Sequence, residues 1–234
     1  MKTNSKYKIT DQRKSLNSKQ IQLLRKQLEK EKIYSKLQRI EAFLGKYSLA
    51  LLCKLEIKVV DGKVGEGEVK DGVVLIQLPP TTKAIHQIKQ SLRLYTGKLS
   101  DTKCEEIFWA LTVSTILHEG VHMLLNSRPG SKLTNDFEKN SGIKNVEGKI
   151  STLLDEGFAY AIQGIYSKTI EPIGSLEPRP NKPDSKIVKI RKELGMYLNP
   201  KVKIYFQDNK EIDSNLLLFA AEQIKELEAA ITKS

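Results

Sequence analysis

The sequence predicts an α+β fold on three observations. Residues 55–60 and 72–78 have the alternation or the apolar density of short strands. A longer run from Glu106 through Leu117 contains no Gly or Pro and repeats its apolar residues at helical spacing. Amphipathic segments near both ends, at about 18–44 and 213–231, add helices outside that centre. The expected organisation is a basic helical arm over 1–46, then a core over 47–170 in which a small mixed sheet packs on the central helix. A proline-rich break over 171–184 and a mainly helical extension over 185–234, packing on the core, complete it.

Residues 1–46 hold 13 Lys or Arg against 4 Asp or Glu, which accounts for +9 of the chain's net charge of +11. Within them Leu24, Leu28, Ile33, Leu37, Ile40 and Leu44 keep mostly helical spacing, so a docking helix with a solvated basic face is expected. An acidic partner, nucleic acid or a membrane surface is the alternative use of that charge, although the arm has no interleaved aromatics and no recognition-helix signature.

Leu55 to Val60 alternates and stops at Asp61-Gly62, while residues 72–78 form an apolar run closed by Pro79-Pro80. The Gly-rich stretch between them reads as a hairpin or its distorted relative. Thr81 or Thr82 is positioned to cap a helix through Ile85, Ile88 and Leu92, with His86 on it. In the central helix Trp109, Val113, Ile116, Leu117 and Leu124 recur at helical spacing, which predicts a long and largely buried element. Residues 126–146 read as a polar connection, and a second apolar helix starts near Leu153 and runs through Ile162 and Ile165. Four prolines over 171–184 form the clearest internal break; a short helix, a strand-like stretch at 202–206 and a final amphipathic helix follow.

Length and composition set the frame. A chain of 234 residues with 39% hydrophobic residues can bury one good core. The basic N-terminus leads into no apolar run of signal-peptide length, and no stretch approaches eighteen uninterrupted apolar residues, so no membrane span is expected. Cys53 and Cys104 stand far apart and read as reduced thiols, which points to the cytoplasm.

The central helix carries His118-Glu119-Gly120-Val121-His122. Residues four apart lie one above the other on a helix, so both imidazoles can reach one metal ion. Glu119 is rotated about 100° from His118, where its carboxylate can take a proton from a water on the metal instead of binding the metal. With three His in 234 residues, a shuffled chain would contain such a motif about three times in a thousand. The competing reading is a pair of histidines satisfied by hydrogen bonds in a core, against which stands the charged Glu beside them on a buried helix.

A catalytic zinc usually has three protein ligands and an open position. Downstream, Leu153-Leu154-Asp155-Glu156-Gly157-Phe158-Ala159-Tyr160 resembles the setting of the third ligand in the gluzincins, zinc peptidases that use two His and one Glu. The resemblance covers about residues 70–170 and is to the small single-domain members, the minigluzincins. The interval from His122 to Glu156 is longer than in thermolysin-like or aminopeptidase-type members, and Tyr160 stands where the thermolysin pattern has Asp. The resemblance implies a zincin-like fold, one zinc ion per chain held by His118, His122 and Glu156, and Glu119 as general base. It also implies an edge strand beside the active-site helix that pairs with an extended peptide substrate, for which residues 73–78 are the candidate, while their hydrophobicity alone suits an internal strand covered on both edges nearly as well. Asp155 is the rival third ligand. Tyr160, Tyr166 and His86 are candidate hydrogen-bond donors to the oxyanion, with Tyr160 the first choice.

The expected function is therefore zinc-dependent hydrolysis of peptide bonds in a peptide or protein substrate. Two alternatives are a SprT-like protease acting on DNA-bound proteins, whose third His this chain lacks downstream, and a latent or non-catalytic zinc-binding protein.

Overall fold

A computed structural model describes residues 6–14, 17–44, 54–92, 99–125, 132–141, 155 and 159. In chain order the elements are β1 (Tyr7–Asp11), α1 (Ser18–Lys30), α2 (Ile33–Leu44), β2 (Leu55–Val60), β3 (Gly67–Lys70), β4 (Val73–Gln77), α3 (Thr81–Leu92), α4 (Asp101–Leu124) and α5 (Lys132–Ser141). The chain divides into two units, Met1–Gln38 with Leu51–Met123 and Arg39–Ala50 with Leu124–Ser234.

The first unit is α+β and holds one mixed sheet of four strands in the order β1-β2-β4-β3. Alternation decides which face is buried. Leu55, Ile57 and Val59 of β2 and Val74 and Ile76 of β4 are at most 1% exposed, while Glu56, Lys58, Val73 and Leu75 between them are half-buried. The opposite face of the sheet carries polar side chains, among them an exposed Lys8–Glu56 ion pair at 2.9 Å. Helical residues Leu24, Leu28, Ile33, Leu37, Phe108, Ile116, Leu117 and Val121 complete the core of this unit. Each fully buried side chain of this size contributes about 1.5–3 kcal/mol.

Three expectations are corrected here. First, residues 55–60 and 73–77 are not the arms of a hairpin, because β2 and β4 run parallel. The hairpin is β3–β4, antiparallel, with Lys70 opposite Val73. Its two turn residues, Asp71 at φ 52° and Gly72 at φ 71°, both have the left-handed backbone of a type I′ turn, which Asp-Gly suits. Second, the 73–78 strand proposed as a sheet edge is internal, bonded to β2 on one side and β3 on the other. Its near-continuous apolar character suits that position. Third, the polar connection at 126–146 contains the helix α5.

The basic N-terminal segment is built into the sheet over its described part. β1 pairs in parallel with β2 from Tyr7 opposite Leu55 to Asp11 opposite Val59. A parallel neighbour needs a crossover, and α1 and α2 supply it. Their surplus of Lys lies on the outer face, with Lys19, Lys26 and Lys30 exposed while Leu24 and Leu28 are fully buried. The Tyr7 hydroxyl donates to the Leu28 carbonyl at 3.1 Å and accepts from the Tyr34 amide at 3.0 Å. One buried phenol thus serves the last turn of α1 and the first turn of α2, where helix ends leave backbone groups unpaired. Burial raises its pKa.

A second buried network fixes α1 to the sheet. Arg13, 5% exposed, donates from Nε to Asp11 Oδ1 at 2.7 Å and from Nη2 to Asp11 Oδ2 at 2.6 Å. Its Nη1 donates to the Leu78 carbonyl at 3.0 Å and to Gln20 Oε1. Gln20 Nε2 in turn donates to the Pro79 carbonyl at 2.8 Å, and the Asn17 side chain caps α1 by accepting from the Gln20 amide at 3.0 Å. The guanidinium holds the Asp11 carboxyl below its ordinary value.

After Pro79-Pro80, α3 begins at Thr81 itself, with the Pro80 carbonyl accepting from the Ala84 amide at 2.9 Å. Helix α4 is buried without a break from Thr112 to Val121. Its interior hydroxyls are satisfied within the helix: Thr112 donates to the Phe108 carbonyl at 2.8 Å and Thr115 to the Leu111 carbonyl at 2.9 Å. Among the described residues α4 is also the one helix long and apolar enough to cross a membrane, and 72% of its most apolar window is buried in the protein.

Of the second unit the structure describes the C-terminal end of α2, Leu124, Leu125, α5, Asp155 and Ala159. Thr134 on α5 and Ala159 are fully buried. The expected break at 171–184 and the extension at 185–234 lie outside the described residues.

Candidate metal centre

His118, Glu119 and His122 occupy the last two turns of α4. Their Nε2 atoms bring the two imidazoles together, 3.0 Å apart, with ring centroids at 4.6 Å and ring planes at 82°. His118 and Glu119 are 7% and 8% exposed, and His122 is half-buried. Two bare Nε2 lone pairs would repel at this distance, so either a proton or a cation has to lie between them.

The pair fits zinc. With Zn–N bonds of about 2.0–2.1 Å, nitrogens 3.0 Å apart subtend about 94° at the ion, roughly 15° inside the tetrahedral angle. A relaxation of about 0.3 Å in the separation closes that difference. The same distance suits one N–H···N hydrogen bond between opposite tautomers, which is the arrangement for a pair without metal. Among the described residues no group of three or more His, Cys, Asp or Glu could hold an ion. Glu156, the third ligand implied by the resemblance, and Tyr160 lie outside the described residues. Asp155 is helical and half-buried, and Ala159 is helical and fully buried.

The remaining candidates stand apart. His86 is exposed on α3. Cys104 is buried in the first turn of α4, about 21 Å along the helix from His118 at 1.5 Å per residue. Cys53 and Tyr166 lie outside the described residues.

Two glycines show what shapes the motif. A Cβ on Gly120 would lie 2.8 and 2.9 Å from the two Cδ atoms of Leu37, so the position inside the motif lets α2 pack directly on the back of α4. A Cβ on Gly67 would lie 3.0 Å from Glu119 Cγ, 3.0 Å from Thr115 Cγ2 and 3.1 Å from the Leu75 carbonyl oxygen. The edge strand β3 therefore runs against the Glu119 side chain.

Neither Leu37 nor Gly67 was marked as functional by sequence spacing. Asp71-Gly72 was the available signal for β3, since that dipeptide between strand-like segments announces a two-residue hairpin. Comparison of the chain with protein-family models, with curated proteins and with solved structures finds no match.

Proposed function

We propose that this chain is a zinc-dependent peptidase of zincin-like architecture. The observation that carries the reading is the convergence of His118 and His122 Nε2 to 3.0 Å on a buried helix that also carries the buried Glu119 one residue after His118. The strand β3 against Glu119 supports it, because among the described residues β3 is the outermost strand of the sheet and an extended peptide can add to such an edge.

A zinc ion bound there would supply Lewis acidity, acidifying a water and polarising a peptide carbonyl. His118 and His122 would hold the ion, and Glu156 is assigned as the third ligand on the gluzincin resemblance. Glu119 accepts the proton of the attacking water at its carboxylate and delivers it to the leaving amine. Tyr160, on the helix predicted from the sequence to carry Glu156, is assigned as a donor to the developing oxyanion.

Zinc content and cleavage of the oxidised insulin B chain, measured together, test this. The wild-type protein should hold close to one zinc and cut the peptide. His118→Ala and His122→Ala should lose the metal. Glu119→Gln should keep the metal and lose about 10²- to 10⁴-fold in rate, since an amide cannot accept the proton. Zinc retained in His122→Ala refutes the metal site; zinc without cleavage in the wild type leaves a binding protein.

A further inference from the structure

We propose that the outer face of α1 docks on an anionic phospholipid surface, with Lys19, Lys26 and Lys30 at the headgroup phosphates and Leu23 among them reaching the acyl boundary. The inference concerns this face and not the metal centre, so it stands or falls independently of the peptidase reading.

Helix geometry sets the face. At 3.6 residues per turn Lys19, Leu23, Lys26 and Lys30 fall within about 60° of one another around the α1 axis, and the stripe from Lys19 to Lys30 is about 17 Å long. Leu24 and Leu28, fully buried, lie on the opposite side of the helix, so the packing of α1 holds the stripe outward. All three lysines are exposed, and Leu23 is 39% exposed. Glu29, the acid of this helix, is turned about 90° from the middle of the stripe. Two other acids of the N-terminal segment face cations of their own, Asp11 with Arg13 at 2.6 Å and Glu31 with Lys36 at 3.8 Å. Their charge is spent within those pairs, and the stripe stays positive.

Leu23 selects the partner. It stands one turn from Lys19 and one turn from Lys26, in the middle of the cations. Against a nucleic-acid backbone its apolar surface would meet phosphate and sugar. A lipid surface instead takes the leucine into the acyl boundary, while the long lysine stems keep their ammonium groups at the phosphates. Each Lys near an anionic leaflet strengthens binding about fivefold, and burying the exposed part of Leu23 adds about three- to eightfold. Together they supply about 10³-fold at most, which is reversible docking and not insertion.

The test is flotation of the full-length chain with vesicles of phosphatidylcholine containing about 30% phosphatidylserine, at about 0.1 M salt. Vesicles of phosphatidylcholine alone and a DNA duplex are the competing surfaces. The chain should bind the anionic vesicles over both, and release them at about 1 M salt, where the screening length falls to about 3 Å. Lys19→Gln, Lys26→Gln and Lys30→Gln together should lower the partition coefficient about 10²-fold. Leu23→Gln should lower it about three- to eightfold, and Leu23→Phe should raise it. Trp109 fluorescence checks that each variant still unfolds cooperatively. The same loss of three charges at the exposed Lys63, Lys70 and Lys83 should leave binding within about threefold. No binding to the anionic vesicles, equal binding to neutral ones, or tighter binding to the duplex overturns the proposal. So does an equal loss in the two triple variants, or binding that ignores both changes at Leu23.

Discussion

Replacing Asp11 by Asn tests whether the basic N-terminal segment belongs to the fold that carries the histidine pair. The substitution keeps size and removes charge. In the wild type the Arg13 guanidinium, whose side chain is 2% exposed, is neutralised by two hydrogen bonds at 2.6 and 2.7 Å to the Asp11 carboxylate. In the variant the amide oxygen can still accept one of these bonds beside the Leu78 carbonyl and Gln20 Oε1, but the amide NH2 faces the guanidinium as a second donor and the buried cation is left without its counter-charge. Breaking such a pair from one side costs about 3–5 kcal/mol. With a urea m-value of about 2 kcal/mol/M, the unfolding midpoint should fall by about 2 M. The single Trp109, 6% exposed on α4, reports the transition by fluorescence. Replacing both partners, Asp11→Leu with Arg13→Met, should recover part of the loss, since no buried charge then remains.

The pH dependence has a defined sign. The Arg13 guanidinium depresses the folded pKa of Asp11, so the pair's contribution is complete above about pH 4, the unfolded carboxyl value, and fades as pH falls through the lower folded value. Acidification should therefore destabilise the wild type more than Asp11→Asn. A loss below about 1 kcal/mol, the range of a solvated pair, together with identical acid limbs, would refute the buried network and the docking of α1 that depends on it.

Two further outcomes follow from the described residues and from the ligand assignment. Removing residues 1–38 deletes β1 and the fully buried Leu24, Leu28 and Leu37, so the remainder should lack a cooperative transition; a truncated chain that still buries Trp109 and unfolds cooperatively would contradict the four-stranded sheet. Glu156→Gln should weaken zinc affinity strongly and Asp155→Asn less, read by competition with a chelator, and the reverse order would make Asp155 the ligand.

Much of the local structure was legible because it depends on short-range physics. Alternation marked β2, apolar density marked β4, and the Gly- and Pro-free run marked α4 as long and buried, all as the structure has them. Tyr7 to Asp11 was not legible as a strand. Its exposed positions are Lys8 and Thr10, and only pairing with Leu55 to Val59 makes the backbone extended. β3 was hidden by its length, four residues starting at a glycine, and its place at the edge comes from the chain passing over the slot that β4 later fills.

The histidine pair divides along the same line. That His118 and His122 lie on one helix face with Glu119 beside them follows from the i, i+4 spacing, which needs nothing beyond the helix. What surrounds that face is set by long-range packing. Leu37 fits behind Gly120 and β3 runs in front of Glu119 at Gly67, contacts between residues more than fifty positions apart. Neither depends on local propensity; both depend on where a carbon is missing, and the meaning of a missing carbon is set by the partner that fills the space.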